Sequence, residues 1–175
     1  MLFLIIIELI LLVILVLAVV QFFNIVFRGF APFFTTGEKA IKMVLEAVTI
    51  NPDDQIYELG AGSARFLLAV EKRYPTAKLI GVEYSPLTYW LAKLKMRSKK
   101  SRIKLVLQNL FKTNLREANL IYCYLIPDMM PKLQEKIKAE CRPGTKIISH
   151  MFSIPNLDIK KRIEEDHEVF YFYEV

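Results

Sequence analysis

Cysteine and histidine are scarce in this chain of 175 residues, which contains two of each. Cys123 and Cys141 lie far apart and form no CxxC pair, and His150 and His167 do not complete a Cys/His cluster. This spacing suggests neither a zinc site nor a disulfide framework. We therefore expect no bound metal and a domain that resides in a reducing compartment.

Charged residues are almost missing from the first 27 positions, where Glu8 is the only one. Seventeen of the nineteen residues from Leu2 to Val20 are Leu, Ile, Val or Phe. As a helix, residues 2–23 would be about 33 Å long, against about 30 Å for the hydrocarbon core of a bilayer. Removing residues 1–23 from 175 leaves 152, the size of one ordinary domain. Disordered, collagen-like and multidomain chains are excluded.

The apolar segment also lacks the features of a cleaved signal peptide, because no Lys or Arg precedes it and Leu17–Val20 contains no A-x-A site. We predict a permanent transmembrane anchor. Its apolar residues, at roughly 0.3–0.6 kcal/mol each, outweigh the roughly 3 kcal/mol cost of Glu8. Glu8 is either an acid tolerated near the outer interface or a polar contact to another membrane protein. All 24 Lys and Arg follow the segment, which predicts a domain in the cytoplasm or its organellar equivalent.

After the anchor, segments rich in Ile, Val and Tyr alternate with amphipathic segments. Thr35 and Glu38 form a capping box that predicts the first helix of the domain. The predicted strands are 55–59, 77–82, 103–107, 119–126, 145–152 and 168–175, and the other predicted helices are 64–73, 86–97 and 129–140. This alternation predicts a doubly wound α/β fold, with a parallel sheet covered by helices on both faces. We expect the last strand to be antiparallel and to lie at an edge.

Two features fall at the carboxyl ends of neighbouring predicted strands, where doubly wound sheets bind ligands. The first is the turn E-L-G-A-G-S-A-R from Glu58 to Arg65, in which Gly60 and Gly62 let the backbone approach a ligand. The second is Glu83, 23 residues after Gly60, whose carboxylate can accept both hydroxyls of a ribose. The glycines alone also fit an ordinary tight turn, but together with Glu83 they favour a nucleoside ligand.

The third glycine of a dinucleotide-binding turn is missing, because Arg65 occupies its position. This argues against an oxidoreductase that uses NAD(P) or a flavin. E-x-G-x-G with a downstream acid instead resembles the S-adenosylmethionine (SAM) pocket of class I methyltransferases, which have a Rossmann-like sheet. SAM carries an ammonium and a sulfonium, and the carboxylate of Glu58 suits such a cation better than it suits a pyrophosphate.

Further segments resemble one family within that class. They are P-F-F-T-T at 32–36, N-L-I-Y-C-Y-L-I-P-D-M-M-P-K-L at 119–133, P-G-T-K-I-I-S at 143–149 and F-S-I-P at 152–155. Behind a single anchor, they are similar to the membrane-anchored protein-lysine methyltransferases whose mitochondrial members modify the adenine nucleotide translocase and the ATP synthase c-subunit. The resemblance implies SAM as cofactor and a lysine of a membrane protein as substrate. The residues that it assigns to the SAM site are Glu58, Gly60, Gly62, Glu83 and Asn109.

The turn departs from the family's D-L-G-S-G-D-G-R, with Ser63 in place of an acid and Ala64 in place of a glycine. The acid usual after the third strand is Asn109, whose Oδ1 can still accept a hydrogen bond from the adenine amine. Thr35-Thr36 replaces the family's Pro-Thr pair. Because the lost acid at Ser63 could weaken SAM binding, a non-catalytic scaffold with the same fold is an alternative.

Methyl transfer to lysine needs a neutral amine, although free lysine has a pKa of about 10.4. Desolvation beside the sulfonium lowers that pKa, so alignment and exclusion of water can suffice without a strong general base. Aromatic faces can bind the methylammonium. The candidates are Tyr122 and Tyr124, with Phe33 and Phe34, and the competing interpretation is packing in the core or against the membrane. The N/D-P-P-Y signature of nucleobase and glutamine methyltransferases is absent, since residues 125–127 are L-I-P.

Seven cations lie among the twelve residues from Lys93 to Lys104. Such a run is usually a solvated helix face. It could also contact anionic membrane lipid, at about 1 kcal/mol per residue. No nucleic-acid recognition motif accompanies it, so we expect no nucleic-acid partner. His150, near the end of the fifth strand, is interpreted as a structural histidine.

The sequence thus predicts three parts: an anchor at 1–23, a juxtamembrane segment at 24–36 and a SAM-dependent methyltransferase domain at 37–175. The predicted function is lysine methylation of a protein in the same bilayer, where tethering raises the effective concentration of enzyme and substrate. A methyltransferase of a lipid or another small hydrophobic molecule is the main alternative.

Overall fold

The computed structural model describes residues 2–28 and 36–175 of the chain. The chain divides into two compact units after residue 34. The described part of the first unit is one helix, α1 (Leu2–Arg28). Within α1, Leu2–Phe22 contains an 18-residue stretch with a mean hydropathy of 3.5 and is long and apolar enough to cross a membrane, a criterion that a signal sequence would also meet. The predicted anchor is therefore helical.

The second unit is built on a seven-stranded sheet. Its strands are β1 (Gln55–Leu59), β2 (Lys78–Glu83), β3 (Lys104–Leu107), β4 (Leu120–Cys123), β5 (Lys146–His150), β6 (Lys161–Glu165) and β7 (Glu168–Glu174). Its helices are α2 (Glu38–Ala47), α3 (Arg65–Arg73), α4 (Pro86–Ser98) and α5 (Met130–Glu140), with short 3-10 helices at Leu110–Lys112 and Pro127–Met129. The strand order is β3-β2-β1-β4-β5-β7-β6, and β1 to β5 are parallel. The predicted Rossmann-like α/β fold is confirmed.

The end of the chain differs from the predicted single edge strand. β6 and β7 form a hairpin, and β7 pairs with both β5 and β6, so it is antiparallel as predicted but does not lie at the edge. The turn residues Asp166 and His167 have φ of +50° and +66°, as in the tight turns that suit strand twist. The sequence missed this hairpin because it lacks an Asn-Gly or Asp-Gly signal and because K-R-I-E-E is too polar to be recognised as a strand.

The first helix of the second unit begins later than the capping box predicts. α2 begins at Glu38, Gly37 is its N-cap residue, and no side-chain hydrogen bond caps it. Thr35 lies outside the described residues, and its predicted role as N-cap is wrong because the helix begins two positions further on. The predicted apolar face is buried at Ile41, Val44 and Leu45.

Apolar side chains cover both faces of the sheet, because successive strand residues point to opposite sides. On one face, Phe66 of α3 packs with Tyr122 of β4. On the other, Leu133 and Ile137 of α5 pack with residues such as Ile121. β1, β2, β4 and β5 all run in the same direction, so their carboxyl ends share one edge of the sheet. That edge carries most of the residues that the sequence singled out.

Candidate active site

The glycine turn joins β1 to α3 at the carboxyl edge of the sheet. Gly60 and Gly62 have φ of +73° and +52°, which glycine adopts without strain. The N–H groups of Gly60 and Ala61 both donate to Val82 O, at 2.9 Å each. A Cβ on Gly60 would come within 2.9 Å of Leu125, whereas a Cβ on Gly62 would meet nothing beyond its chain neighbours closer than 4.0 Å. The turn is therefore closely packed at Gly60 and open at Gly62.

Glu83 ends β2, and its carboxylate faces the open part of the turn. Its Oε2 accepts a hydrogen bond from Gly62 N at 2.9 Å. Its Oε1 accepts from the N–H groups of Tyr84 and Ser85, at 2.9 and 2.8 Å. Three backbone donors thus fix the carboxylate and leave about one of its four acceptor positions, on Oε2, for a ligand hydroxyl. The structure brings Gly62 and Glu83 together, as a nucleoside site requires.

Ala64 is the N-cap residue of α3 and has φ of +52° and ψ of +43°. The family that the turn resembles has glycine at this position. This left-handed conformation costs a residue with a Cβ roughly 1–2 kcal/mol. The backbone nevertheless keeps the turn closed, since Ala64 N donates to Ala61 O at 2.7 Å. The substitution therefore strains the turn without opening it.

Glu58 lies in β1, two residues before Gly60, and its side chain is buried. Its Oε2 accepts a hydrogen bond from Leu67 N, at the start of α3, at 3.2 Å. Burial raises the pKa of Glu58 to about 8, although the N–H groups of Leu67 and Phe66 act in the opposite direction. The carboxyl group is thus mostly protonated at neutral pH, and a cation placed close to it would favour its ionised form.

Asn109 follows β3 and is the N-cap residue of the first 3-10 helix. Its Oδ1 accepts a hydrogen bond from Phe111 N at 2.9 Å. Gln108 N donates to Glu83 O at 2.9 Å, which places Asn109 at the same edge of the sheet as Glu83. The oxygen that was expected to accept from an adenine amine therefore already has one donor, and a ligand would use its second lone pair.

Tyr122 is a core residue in the structure. Its ring stacks on Phe66 with the centroids 4.2 Å apart, and only 1% of the residue is exposed. Its hydroxyl lies 2.8 Å from Thr36 Oγ1 and 3.1 Å from His150 Nδ1. Burial raises the pKa of Tyr122 well above its usual value, so the hydroxyl keeps its proton. The ring is thus unable to receive a methylammonium, and its role as an aromatic wall is replaced by packing and hydrogen bonding.

Tyr124 lies beyond the end of β4, half-buried, with its ring centroid 4.0 Å from that of His150. His150 is fully buried, and its Nε2 bonds to the carboxylate of Glu168. Burial lowers the pKa of His150, although Glu168 acts in the opposite direction. In the neutral tautomer that donates from Nε2, Nδ1 accepts from the Tyr122 hydroxyl. Phe33 and Phe34, the other aromatic candidates, lie outside the described residues.

Comparison with known proteins identifies the family. Residues 58–161, more than half of the chain, match the family described as the ANTKMT methyltransferase domain. The chain belongs to this family. It is a SAM-dependent methyltransferase, which confirms the predicted enzyme class and cofactor, and the match begins at Glu58, the first residue of the glycine turn.

Three proteins that are similar to this chain are named lysine N-methyltransferases. A protein-lysine N-methyltransferase from Saccharolobus islandicus is 29% identical over 76% of this chain and 84% of its own length. The ATP synthase c-subunit lysine N-methyltransferase of Mus musculus is 22% identical over 71% of this chain and 50% of its own. The adenine nucleotide translocase lysine N-methyltransferase of Mus musculus is 24% identical over 71% and 54%. The chain thus spans about half the length of the mouse relatives.

Two solved methyltransferases share the fold. An RNA methyltransferase from Salinibacter ruber, in complex with S-adenosyl-L-homocysteine, superposes with a TM-score of 0.77 over 81% of this chain and 94% of its own, at 21% identity. Precorrin-6y C5,15-methyltransferase from Geobacter metallireducens superposes with a TM-score of 0.69 over 83% and 91%, at 12% identity. At these identities the likeness shows the fold alone, and it agrees with the predicted class I methyltransferase sheet.

The residues at the carboxyl edge fit SAM. The open space at Gly62 lets a ligand approach the turn, and the Oε2 atom of Glu83 is held beside that space by a backbone N–H group. Glu58, the carboxyl group whose ionisation a cation would favour, is the first residue of the turn and lies two residues before Gly60. With SAM bound, Glu83 would therefore hold the ribose, and Glu58 would act on the positively charged end.

The protonation of Glu58 leads to a prediction on stability. Between about pH 4.5 and pH 8 the Glu58 carboxyl group stays protonated in the folded chain but loses its proton in the unfolded chain. Glu58 therefore lowers the free energy of unfolding as the pH rises through this range. The Glu58→Gln variant lacks this dependence. We expect urea denaturation to show similar stability of the two proteins near pH 4.5 and a gain of about 2–4 kcal/mol for the variant at pH 9. An equal difference at both pH values would contradict the assignment.

The structure connects three residues to the site that the sequence did not assign to it: Thr36, His150 and Glu168. Their side chains form one hydrogen-bonded chain through the Tyr122 hydroxyl. His150 is buried and hydrogen-bonded through both ring nitrogens, which confirms its interpretation as a structural histidine. Glu168 and Thr36 lie outside the range that matches the family. Two of the three had a signal: His150 lies at the end of a strand that runs to the binding edge, and Thr36 belongs to the segment P-F-F-T-T that resembles the family. Glu168 had no such signal, because the hairpin that places it was not predicted.

Proposed function

We propose that this protein transfers the methyl group of SAM to a lysine side chain of a membrane protein. The names of the relatives support this substrate class, since all three are lysine N-methyltransferases. The apolar helix α1 supports a membrane location.

The observation that carries the proposal is that Tyr124 and Glu168 both contact His150 at the carboxyl edge of the sheet. Tyr124 is half-buried, and the side chain of Glu168 is 30% exposed. Both are in contact with His150, which lies between the core and this edge. An aromatic ring beside a partly exposed carboxylate suits an incoming ammonium group, because both attract a cation. An anionic acceptor would be repelled by the carboxylate.

Each group has a role in preparing the amine. SAM, when bound, supplies an electrophilic methyl group on a sulfonium. Glu168 and Tyr124 hold the lysine ammonium and orient it, and the exclusion of water lowers the pKa of that group. Glu168 takes the released proton and passes it to solvent at its exposed side. The nitrogen lone pair is then free to form the new N–C bond, while the S–C bond to the methyl group breaks and its electron pair stays on sulfur.

The membrane arrangement belongs to the same proposal. Residues 1–23 would span the bilayer, residues 24–36 would form the juxtamembrane segment and residues 37–175 would form the catalytic domain. The absence of Lys and Arg before Arg28 supports a catalytic domain on the cytoplasmic side or its organellar equivalent. Enzyme and substrate in one bilayer meet at a raised effective concentration, which offsets weak contacts between them.

A labelling experiment tests the substrate class. Membranes from cells that lack this chain are incubated with the purified full chain and SAM that carries a labelled methyl group. We expect label in protein, recovered as methyl-lysine after acid hydrolysis, and no label with the Glu83→Ala variant. Label recovered in the lipid extract would favour the alternative of a lipid methyltransferase. Label on another amino acid would also contradict the proposal.

A further inference from the structure

The outward face of α4 is apolar and uncovered. Leu87, Trp90, Leu91 and Leu94 are 52%, 60%, 61% and 67% exposed. Their i, i+3, i+4, i+7 spacing places them on one stripe of the helix. The opposite stripe is buried at Ala92, among others. Within the described part of the second unit, α4 is therefore apolar on its inner and on its outer side. The sheet covers the inner side, and the outer side needs a second partner.

Cations flank this stripe, and acids are absent from it. The run from Lys93 to Lys104 contains seven Lys and Arg, and no Asp or Glu occurs between Glu83 and Glu117. Lys93 Nζ lies 4.8 Å from the centre of the Trp90 ring. The outer surface of α4 therefore combines leucines, one tryptophan and a rim of positive charge.

The positive charge continues into a groove between α4, α3 and α2. The groove has a volume of about 600 Å³, and among the described residues Glu38 is the one acid that lines it. Its cationic lining residues are Lys42, Arg65, Lys72, Arg73, Lys95 and Lys99. Like-charged side chains of three elements thus converge beside the apolar stripe, where they repel one another unless an anion lies close by.

We propose that the α4 face, defined here as Leu87, Trp90, Leu91 and Leu94 with the cations around them, docks on the surface of an anionic lipid bilayer. Leucine and tryptophan on one face with Lys and Arg beside it are the composition of helices that lie in the membrane interface. The cations attract anionic headgroups, and the apolar stripe enters the acyl boundary. A second copy of this chain fits less well, because a symmetric pair would bring both sets of cations together.

Docking would orient the cofactor site. Ser85, the N-cap residue of α4, has its N–H group 2.8 Å from Glu83 Oε1. The helix that contacts the lipid therefore begins at the carboxylate of the SAM site, so a docked α4 holds the glycine turn close to the membrane surface. This inference concerns the lipid contact alone and does not depend on which atom accepts the methyl group.

Trp90 is the only tryptophan of the chain, so its fluorescence reports on the α4 face without any substitution. The full chain is reconstituted into vesicles of phosphatidylcholine alone or of equimolar phosphatidylcholine and phosphatidylglycerol. We expect the Trp90 emission to shift to the blue in the anionic vesicles, to be quenched by brominated acyl chains and to be protected from acrylamide. High salt, at which the Debye length falls to about 3 Å, should reverse much of the shift.

Charge variants make the test specific. Lys93→Gln, Arg97→Gln and Lys100→Gln together should lower the ratio of docked to undocked protein about 100-fold, at roughly fivefold per cation. The matched control removes three exposed cations from other elements, through Lys138→Gln, Lys160→Gln and Lys161→Gln, and should keep the blue shift. Water-exposed emission in anionic vesicles would overturn the proposal. So would a shift of equal size in zwitterionic vesicles, or one that appears only with dimerisation or with an added protein.

Discussion

Replacement of Glu83 with alanine should weaken the binding of SAM by about 100-fold, because each hydrogen bond to a charged group contributes roughly 1.5–3 kcal/mol and about 1.4 kcal/mol is a tenfold change. The loss has two sources. In our proposal the carboxylate accepts from the ribose, and in the structure it also accepts a hydrogen bond from Gly62 N at 2.9 Å. Isothermal titration calorimetry on the purified full chain measures the effect directly.

The Glu83→Gln variant separates these two sources. Glutamine keeps the length of the side chain and one acceptor oxygen but loses the charge, so we expect an intermediate loss of about tenfold. The melting temperature of both variants is measured alongside. If Glu83→Ala melts earlier yet binds SAM with unchanged affinity, then Glu83 only supports the turn and does not contact the cofactor.

Replacement of Glu168 with glutamine should lower methyl transfer to the membrane-protein acceptor by about 10- to 100-fold, with SAM affinity unchanged. The variant retains an oxygen that accepts from His150 Nε2, so the buried hydrogen-bonded chain stays intact. It loses the negative charge that attracts the lysine ammonium, an interaction of roughly 1.5–3 kcal/mol. The measurement is the initial rate of label incorporation into protein at limiting acceptor.

The matched control for this prediction is Glu165→Gln. Glu165 is an exposed acid at the end of β6, on the same hairpin, and it pairs with Glu168 across the strands. The control removes the same charge from the same region and should leave the transfer rate within twofold of wild type, about 0.4 kcal/mol. Equal losses in both variants, or a parallel loss of SAM affinity in Glu168→Gln, would show that this carboxylate does not act on the acceptor.

Local sequence signals predicted most of the helices and strands, because residues that are close together in the chain determine where these elements begin and end. β1 occupies the predicted range 55–59, and α4 begins at the predicted Pro86. Both are bounded by residues with a direct physical effect: a glycine turn follows β1, and a proline occupies the first turn of α4. The predicted glycine turn and Glu83 also meet, since the carboxyl ends of adjacent parallel strands share an edge.

The remainder of the site depends on contacts between distant parts of the chain, which a single sequence does not reveal. Thr36 and Tyr122 are separated by 86 positions, and His150 and Glu168 come together only through the pairing of β5 with β7. Nothing in the residues around Tyr122 distinguishes an open aromatic wall from a ring that is stacked on Phe66. The exposed stripe of α4 was likewise hidden, because its leucines resemble those of a helix that faces the core.

The pairing of β7 between β5 and β6 also sets an order of events during synthesis. β7 leaves the ribosome after every other described element, yet it occupies an inner position of the sheet and delivers Glu168 to the binding edge. A nascent chain can therefore complete the glycine turn, Glu83 and the groove of cations before it completes the acceptor side. In our proposal, newly made protein first becomes able to hold its cofactor and only afterwards becomes able to methylate.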